Sequence, residues 1–343
     1  MDISSKVYDF FLYVFGRTKN ACWVLFKLMI PVSIVIRIIQ QAGWLENMSG
    51  VLTPVMEIVG LPAQTAIVWL TAMVVNIYGG LLSLFAIYPS LSEPLSIAQM
   101  TVLLTMILIA HTFPIELGIS QKTGIRILVM FIIRFGFGIL LGFVLSRIYS
   151  FFDLLQAPAA VTAIFTTENT SWAAWALNEL KNYGIIIAII FLLVACIHLL
   201  DVSGILKVVN KSLEPILSWL GISKTMLPLT VVGLTLGIAY GGGLLVEEGR
   251  QKGLKPKEIF YSMTLMGLFH SIFEDTLLML SMGGHWSGVI VFRMIFALVI
   301  TFLIVRFTRN IKEGIFLRFF MTKGYKKRYL SDSNETKVKQ IHL

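Results

Sequence analysis

The sequence predicts an all-α, polytopic membrane protein built from two pseudo-symmetric helical repeats, and three observations support this fold class. Of the 343 residues, 57% are hydrophobic and only 14% are charged, against roughly 25% charged in soluble domains. Long stretches carry no charge, such as the 35 residues between Glu57 and Glu93, and a helix needs about 20 apolar residues to cross a membrane. The apolar runs lack the alternation that the strands of a membrane barrel would show.

The second half of the chain repeats polar and glycine positions of the first half at an offset of 159 to 162 residues. The repeated positions are Tyr78-Gly79-Gly80 with Tyr240-Gly241-Gly242, His111 with His270, Glu116 with Asp275, and Arg134 with Arg293. Apolar helices resemble one another by composition alone, but His, Arg and Tyr-Gly-Gly at nearly one offset are hard to obtain by chance. The sequence therefore predicts an internal repeat.

The orientation of the two repeats is predicted from loop charges, because cytoplasmic loops collect Lys and Arg. The loop 247–258 carries four basic residues, whereas the corresponding loop 89–96 has none. A second pair of loops differs in the same way, and a third pair does not fit this pattern. The balance favours inverted repeats with interrupted helices. Four full crossings in each half would make the repeats parallel, so inversion requires an additional crossing or a re-entrant segment somewhere in the chain.

Charge and hydropathy divide the chain into five parts. These are an N-terminal interfacial helix (1–20), a first repeat (21–150), a linker with an interfacial helix (151–183), a second repeat (184–309) and a basic cytoplasmic tail (310–343). The candidate spans are about 21–41, 63–88, 97–119, 125–148, 184–203, 225–247, 258–282 and 286–307. The tail is assigned to the cytoplasm because ten Lys and Arg residues lie from Arg306 onwards against three acids. We expect a multi-pass protein of the inner (plasma) membrane without a cleaved signal peptide.

Two glycine motifs lie inside apolar spans rather than at their ends. Consecutive glycines weaken a helix by about 1 kcal/mol each relative to alanine. One interpretation is close helix packing through small residues. The other is a discontinuous helix whose unwound backbone faces a binding cavity, as in many transporters. The candidate residues for binding a substrate or ion in this second interpretation are Asn76, Tyr78, Gly79, Gly80, Tyr240, Gly241 and Gly242.

Ionisable residues form a second constellation within the candidate spans. Its members are His111, Glu116, His270, Glu274 and Asp275, with Arg134 and Arg293 as candidate charge partners. An ionised side chain at the centre of a membrane helix costs about 2.5–3.5 kcal/mol, so this set predicts a shared polar site. Three interpretations remain open: structural ion pairs with the arginines, ligation of a divalent metal, or binding of a polar solute or a coupling proton.

Enzyme motifs are missing from the sequence. It contains no Walker loop, no nucleophile elbow and no pair of cysteines spaced for a metal or redox centre. We therefore expect no enzymatic activity and no cofactor, and we rank an intramembrane enzyme using His and Glu as acid and base last. The expected partners are membrane lipid and a small polar solute or ion rather than nucleic acid, and the sequence leaves a homo-oligomer open.

The motifs resemble the nucleoside-recognition, or Gate, domain family, which includes spore maturation proteins A and B. Related segments occur in the ferrous-iron transporter B and in concentrative nucleoside transporters. The residues that carry the resemblance are Val75-Asn76-Ile77-Tyr78-Gly79-Gly80, His111-Thr112-Phe113-Pro114-Ile115-Glu116, Ala239-Tyr240-Gly241-Gly242-Gly243 and His270-Ser271-Ile272-Phe273-Glu274-Asp275. The resemblance covers roughly 20–310 and looks like a tandem fusion of two such domains, which implies membrane transport.

The function predicted from the residues and the resemblance is a transporter or permease for a small polar solute, nucleoside-like or another organic compound. We expect coupling to protons or another ion and a site near the middle of the membrane between the two repeats. The alternatives are a divalent metal-ion transporter and a membrane scaffold subunit that transports nothing.

Overall fold

The computed structural model describes residues 3–41, 52–159, 171–251 and 254–331, where the secondary structure is helical with only isolated β-bridges. The longer helices are α1 Ile3–Gln41, α2 Thr65–Val74, α3 Ile77–Ile87, α4 Ile97–Ile109, α5 Phe113–Lys122, α6 Ile127–Phe151, α7 Trp172–Val202, α8 Ile205–Trp219, α9 Leu227–Leu236, α10 Ile238–Gln251, α11 Pro256–Leu268, α12 Glu274–Ser281, α13 Arg293–Thr308 and α14 Glu313–Phe319. A π-helical turn, Ser287–Phe292, leads into α13, and shorter helical stretches cover 52–58 and 323–331.

Several helices are long and apolar enough to cross a membrane. In the described part of the chain there are four such stretches, Ile97–Lys122, Ile127–Phe151, Trp172–Leu200 and Ser287–Thr308. Each stretch is largely apolar and contains only a few ionisable side chains, and only helices or closed barrels satisfy the backbone in lipid. The predicted class, an all-α polytopic membrane protein, is confirmed.

Two of the predicted spans are helical hairpins instead of single crossings. In the span predicted at 63–88, the chain turns between α2 and α3, and a Cβ built on Gly80 would lie 2.6 Å from the Cβ of Ala72 and 3.2 Å from the carbonyl oxygen of Val68. In the span predicted at 225–247, α9 and α10 fold back in the same way. A helix of 10 residues is only about 15 Å long, which is half the thickness of the hydrocarbon core.

The hairpin turns follow from local backbone chemistry. Asn76 is the N-cap of α3, and its side-chain oxygen accepts a hydrogen bond of 2.8 Å from the backbone N–H of Gly79. In the second hairpin the turn is made by Gly237, whose φ of +101° is unfavourable for residues with a Cβ. The breaks expected at Tyr-Gly-Gly therefore lie two or three residues before the tyrosine, and the glycine motifs stand inside helices.

Each candidate histidine lies where a helix is interrupted. His111 separates α4 from α5, and His270 separates α11 from α12. The residue after each histidine has a left-handed backbone, with φ +51° at Thr112 and φ +48° at Ser271. The first break precedes Pro114, which stands in the first turn of α5, where a missing N–H does no harm. The interruption is therefore made by the residues around His111 and not by Pro114 itself.

Helix order recurs in the two halves. Each half contains a helical hairpin, an interrupted helix with the histidine at the break, and a long apolar helix that carries a buried arginine. The backbone N–H of Thr112 donates to Ala72 beside the first hairpin turn (2.8 Å), and that of Ile272 donates to Leu234 beside the second (3.0 Å). Interrupted helices were predicted and are present, while the inverted orientation stays a prediction.

The chain divides into two compact units that do not coincide with the sequence halves. Unit 1 consists of Met1–Thr112, Gly138–Val209 and Phe273–Val291, and unit 2 of Phe113–Phe137, Asn210–Ile272 and Phe292–Leu343. The chain passes from one unit to the other within two residues of each candidate histidine.

The N-terminal helix does not end where the sequence suggested. We predicted a separate helix over 1–20, but α1 continues without interruption to Gln41. Val14, Thr18 and Cys22 are all buried, and their spacing of four residues forms one stripe that runs through the predicted boundary. Further along α1, the hydroxyl groups of Ser33 and of Tyr183 in α7 form a hydrogen bond of 2.8 Å. Helix α1 is therefore packed against α7.

The linker and tail also differ from their predicted boundaries. The helix expected from 171 and the span expected from 184 form one helix, α7, because no proline separates them. The polar residues 160–170 lie outside the described residues. The tail is folded over 313–331, where the backbone N–H of Arg126 donates to Phe320 and that of Thr322 donates to Gly124.

Candidate functional site

Unit 2 contains a buried cluster of three ionisable side chains. Glu116, in the first turn of α5, makes an ion pair through one carboxylate oxygen with Arg134 of α6. Its other oxygen lies 3.3 Å from Nε2 of His270. Glu116 is 8% exposed, and Arg134 and His270 are 1% exposed each. Sequence analysis named all three, and the structure brings them together.

Unit 1 contains a second pair of the same chemistry. Nε2 of His111 lies 3.6 Å from a carboxylate oxygen of Asp275, which belongs to the first turn of α12. His111 is 4% exposed. Tyr78, buried in α3, is close enough to Asp275 and Glu274 for electrostatic interaction. Three candidates from distant parts of the sequence thus meet in this unit.

Both histidine rings are held by the same hydrogen bond. Nδ1 of His111 lies 2.9 Å from the carbonyl oxygen of Ile107, and Nδ1 of His270 lies 2.8 Å from that of Met266. Both carbonyls belong to the last turn of their helix, where acceptors lack the usual N–H partner four residues later, and that of Ile107 also accepts from the N–H of Ala110 at 3.1 Å. A carbonyl oxygen only accepts, so the hydrogen sits on Nδ1 in both rings. In the neutral ring Nε2 is therefore an acceptor.

This tautomer has a chemical consequence. An acceptor nitrogen opposite a carboxylate oxygen is unfavourable unless a proton or another cation lies between them. Each pair is satisfied when the imidazole is protonated or the carboxyl group carries the hydrogen. In either case the pair holds one proton between Nε2 and the carboxylate.

The arginine of each long helix has its own contacts. Arg293 is fully buried and donates through Nε to Leu268 (3.2 Å) and through Nη2 to His270 (2.9 Å), both at backbone carbonyl oxygens. Its guanidinium also lies 5.1 Å from the ring centre of Phe269, as that of Arg134 does from Phe113. Arg293 thereby caps the end of α11 and supports the backbone around His270.

The glycine motifs pack helices together. A Cβ on Gly241 would overlap the backbone of Gly233 in the opposite helix of the hairpin, and one on Gly242 would lie 2.5 Å from Ile119. Gly79 and Gly80 are buried in the first hairpin. Of the two interpretations of the glycine motifs, these contacts favour close helix packing through small residues.

Two predicted residues are not enclosed. Tyr240 is 60% exposed, although Tyr78, its partner in the repeat, is 8% exposed. Glu274 is exposed in the first turn of α12, next to the half-buried Asp275. Asn76 is buried, and its side-chain oxygen caps α3.

Sequence reasoning missed several residues of the site. Thr112 and Ser271 carry the left-handed turns, and Thr105 and Thr264 lie six residues before each histidine with hydroxyl oxygens that make no hydrogen bond to the described residues. Both pairs recur at the offset of 159 residues that relates the histidines. Applying that offset to every hydroxyl residue would have found them.

Together these features define a multi-pass, all-α membrane protein with helical hairpins, interrupted helices and buried ionisable clusters. Residues 185–286 match the family model for nucleoside recognition, Gate. This segment is therefore similar to domains of the Gate family, in agreement with the resemblance seen in the motifs. The assignment of a second such domain to the first half stays a prediction.

A relative extends beyond the matched segment. An uncharacterized membrane protein, YvoD, of Bacillus subtilis (strain 168) is 25% identical over 283 residues, which cover 81% of this chain and 88% of the relative. No solved structure shows a significant match to the chain.

Proposed function

We propose that this protein is a proton-coupled transporter for a small polar solute in the plasma membrane, with its C-terminal segment in the cytoplasm. The observation that carries the proposal is the burial of two histidine–carboxylate pairs at interruptions of apolar helices. Ionisable groups inside membrane helices are expensive and usually serve a pathway or a proton relay. Discontinuous helices are likewise where transporters bind substrates and coupling ions. The Gate domain supports a transport-related role.

The proton is favoured as the coupling ion by the cluster in unit 2. Arg134 stabilises the ionised form of Glu116. The proton shared by Glu116 and His270 therefore belongs on Nε2 of His270 rather than on the carboxyl group. The charged groups around this ring in the described part of unit 2 are Glu116, Arg134 and Arg293. Loss and gain of one proton at Nε2 would change the charge of the cluster without breaking the bond at Nδ1.

A divalent metal ion is the second candidate cargo. A histidine that binds a metal typically donates its other ring nitrogen to a carbonyl or carboxylate, as both histidines do here. However, the guanidinium of Arg134 contacts the same carboxylate as His270. A dication at that carboxylate would be repelled by the neighbouring positive charge, which favours the proton.

The test uses purified protein in vesicles that contain a pH-sensitive dye. Nucleosides, nucleobases and other small polar solutes are added one by one, and proton entry is recorded with and without an imposed pH gradient. We expect at least one solute to trigger proton entry. We expect His270→Asn to abolish it with a normal folded yield, since an asparagine amide can still reach the carbonyl that Nδ1 contacts.

His198→Asn is the matched control, because His198 lies in α7 and stacks on Tyr13 outside both clusters. It should leave proton entry unchanged. Uptake of Zn²⁺ or Mn²⁺ instead of a proton signal would replace the proposal by metal transport. Folded protein that moves neither would leave a scaffold role and refute the proposal.

A further inference from the structure

We propose that residues 306–331 form a docking surface for the headgroups of anionic lipids. We call this segment the basic ledge. It comprises the last three residues of α13, the short helix α14, the helical residues 323–331 and the segments between them. The proposal is independent of the transported solute and rests on the position, charge and exposed apolar side chains of the ledge.

The basic ledge is fixed at the ends of membrane-crossing helices. It begins in α13, whose candidate span ends at Thr308. Arg126, which directly precedes the span Ile127–Phe151, donates through Nε to Met321 at 3.0 Å. Lys257 donates to the carbonyl oxygens of Arg309 and Ile311 at 2.7 Å each. Attachment to the ends of two spans keeps the ledge at the level of the lipid headgroups.

The charge of the basic ledge is strongly one-sided. It contains eight Lys and Arg residues and one acid, Glu313. The exposed cations are Arg306, Arg309, Lys312, Arg318, Lys323, Lys327 and Arg328. Burial and the neighbouring Glu313 and Glu258 raise the pKa of Tyr329 to about 12, so its hydroxyl stays protonated and bonds Glu313. The single acid therefore has a partner within the ledge, and the cations face outwards.

Apolar side chains stand beside these cations. On the protein side of α14, Phe316 is fully buried and its ring centre lies 5.6 Å from that of Phe260. On the opposite side, Ile315 is 49% exposed and Phe319 is 59% exposed, and Phe307 at the end of α13 is 75% exposed. Apolar residues next to Lys and Arg at a membrane boundary are the pattern of interfacial helices.

This combination favours a lipid bilayer over an acidic protein or a nucleic acid. A soluble polyanion would match the cations but would leave the exposed apolar side chains in water. An anionic bilayer accommodates both, since aromatic rings enter the boundary between headgroups and acyl chains while Arg and Lys reach the phosphates.

The experiment places a fluorescent label on the full-length protein. Phe319→Cys is labelled in a background of Cys22→Ser and Cys196→Ser, and the protein is reconstituted into vesicles of phosphatidylcholine alone or with 30% phosphatidylglycerol. Quenching by brominated lipid reports insertion of the label. We expect stronger quenching in the anionic vesicles and its loss at high salt. Ile315→Cys serves as a second labelling position if Phe319→Cys folds poorly.

Charge variants separate the ledge from a general surface effect. Lys323→Gln with Lys327→Gln should lower the ratio of inserted to free label about fivefold per cation removed. The control Lys211→Gln with Lys224→Gln removes two exposed lysines elsewhere in unit 2 and should leave the ratio unchanged. Inorganic phosphate at matched ionic strength should not compete.

Three outcomes would overturn the proposal. Equal quenching in neutral and anionic vesicles would show that insertion of the label does not depend on the charge of the lipid. Equal effects of the two pairs of lysine substitutions would show that the lysines of the basic ledge contribute no more than other exposed lysines. Protection of the label by a short single-stranded DNA, without any difference between the vesicles, would assign the surface to nucleic acid.

Discussion

His111 and His270 make the same contact at corresponding points of the two sequence halves. Nδ1 of each ring lies within 2.9 Å of the backbone carbonyl four residues earlier, and the next residue has a left-handed backbone in both cases. The ring thus closes the end of a helix through one nitrogen and offers the other nitrogen to a carboxylate. In each ring one nitrogen has the structural role of capping the helix, and the proton-coupling role that we propose belongs to the other nitrogen.

The first prediction separates these two roles. In His270→Asn the side-chain amide replaces Nδ1, so the bond to Met266 survives and the free energy of unfolding should change by less than about 1 kcal/mol. In His270→Gln the amide lies nearer the position of Nε2, and the lost carbonyl contact should cost about 1–2 kcal/mol. Thermal unfolding of the two purified variants measures the difference.

Equal stability of both variants would contradict the capping role of Nδ1. The same pair of substitutions at His111 provides an independent repetition, because its ring contacts Ile107 in the same way.

The second prediction concerns the ion pair between Glu116 and Arg134. Glu116→Gln keeps the size of the side chain but leaves a buried guanidinium without its carboxylate, which typically costs about 3–5 kcal/mol. We expect a lower folded yield and a lower melting temperature. Arg134→Gln in the Glu116→Gln background should recover part of the loss, because the uncompensated charge is removed.

A double-mutant cycle over these variants measures the coupling between the two side chains. Additive effects would show that the pair contributes little. Glu93→Gln, which changes an exposed carboxylate in the loop 89–96, is the control and should alter stability by less than about 0.5 kcal/mol.

Hydrophobicity predicted the membrane class well, because uncharged stretches of more than 20 residues leave few alternatives. It did not distinguish a crossing helix from a hairpin, since α2 and α3 together are as apolar as one long span. The turn depends on Asn76 and Gly237, and neither stands out beside the more conspicuous Tyr-Gly-Gly. The glycines attracted a functional interpretation, yet Gly80 and Gly241 contact the opposite helix of their hairpins and Gly242 contacts Ile119 of α5.

The members of the buried site were predictable from the cost of ionisable groups in lipid, but their pairing was not. The offset suggested that Glu116 and Asp275 play equivalent parts. In the structure Glu116 contacts His270, from the other half of the sequence, and Asp275 contacts His111. Such pairing depends on which unit each half-helix joins, and this is decided by tertiary packing beyond any local pattern.

The third prediction uses three successive glycines of α10 as a matched series. Alanine at Gly241 would overlap the backbone of Gly233, which cannot move as a flexible side chain can. We expect Gly241→Ala to destabilise the protein by about 1–3 kcal/mol. Gly243 has no atom within 4 Å of a built Cβ, so Gly243→Ala should be neutral or stabilise the helix by up to about 1 kcal/mol.

Melting temperatures of the two alanine variants provide the comparison, with Gly242→Ala expected between them because its nearest contact is the side chain of Ile119. If Gly241→Ala proved as stable as Gly243→Ala, the close packing of α9 on α10 would be refuted.

The last prediction concerns the left-handed residues after the histidines. Thr112 has φ +51°, and a β-branched residue in this region is strained by about 1–3 kcal/mol. Thr112→Gly removes that strain while keeping the backbone bond to Ala72, so the melting temperature should rise or stay unchanged. Ser271→Gly should behave similarly. Thr105→Gly, in the interior of α4, is the control and should destabilise the protein by about 1–3 kcal/mol, because it adds backbone freedom and removes a buried side chain. A fall in the stability of Thr112→Gly as large as in the control would show that the turn after His111 is not left-handed in the folded protein.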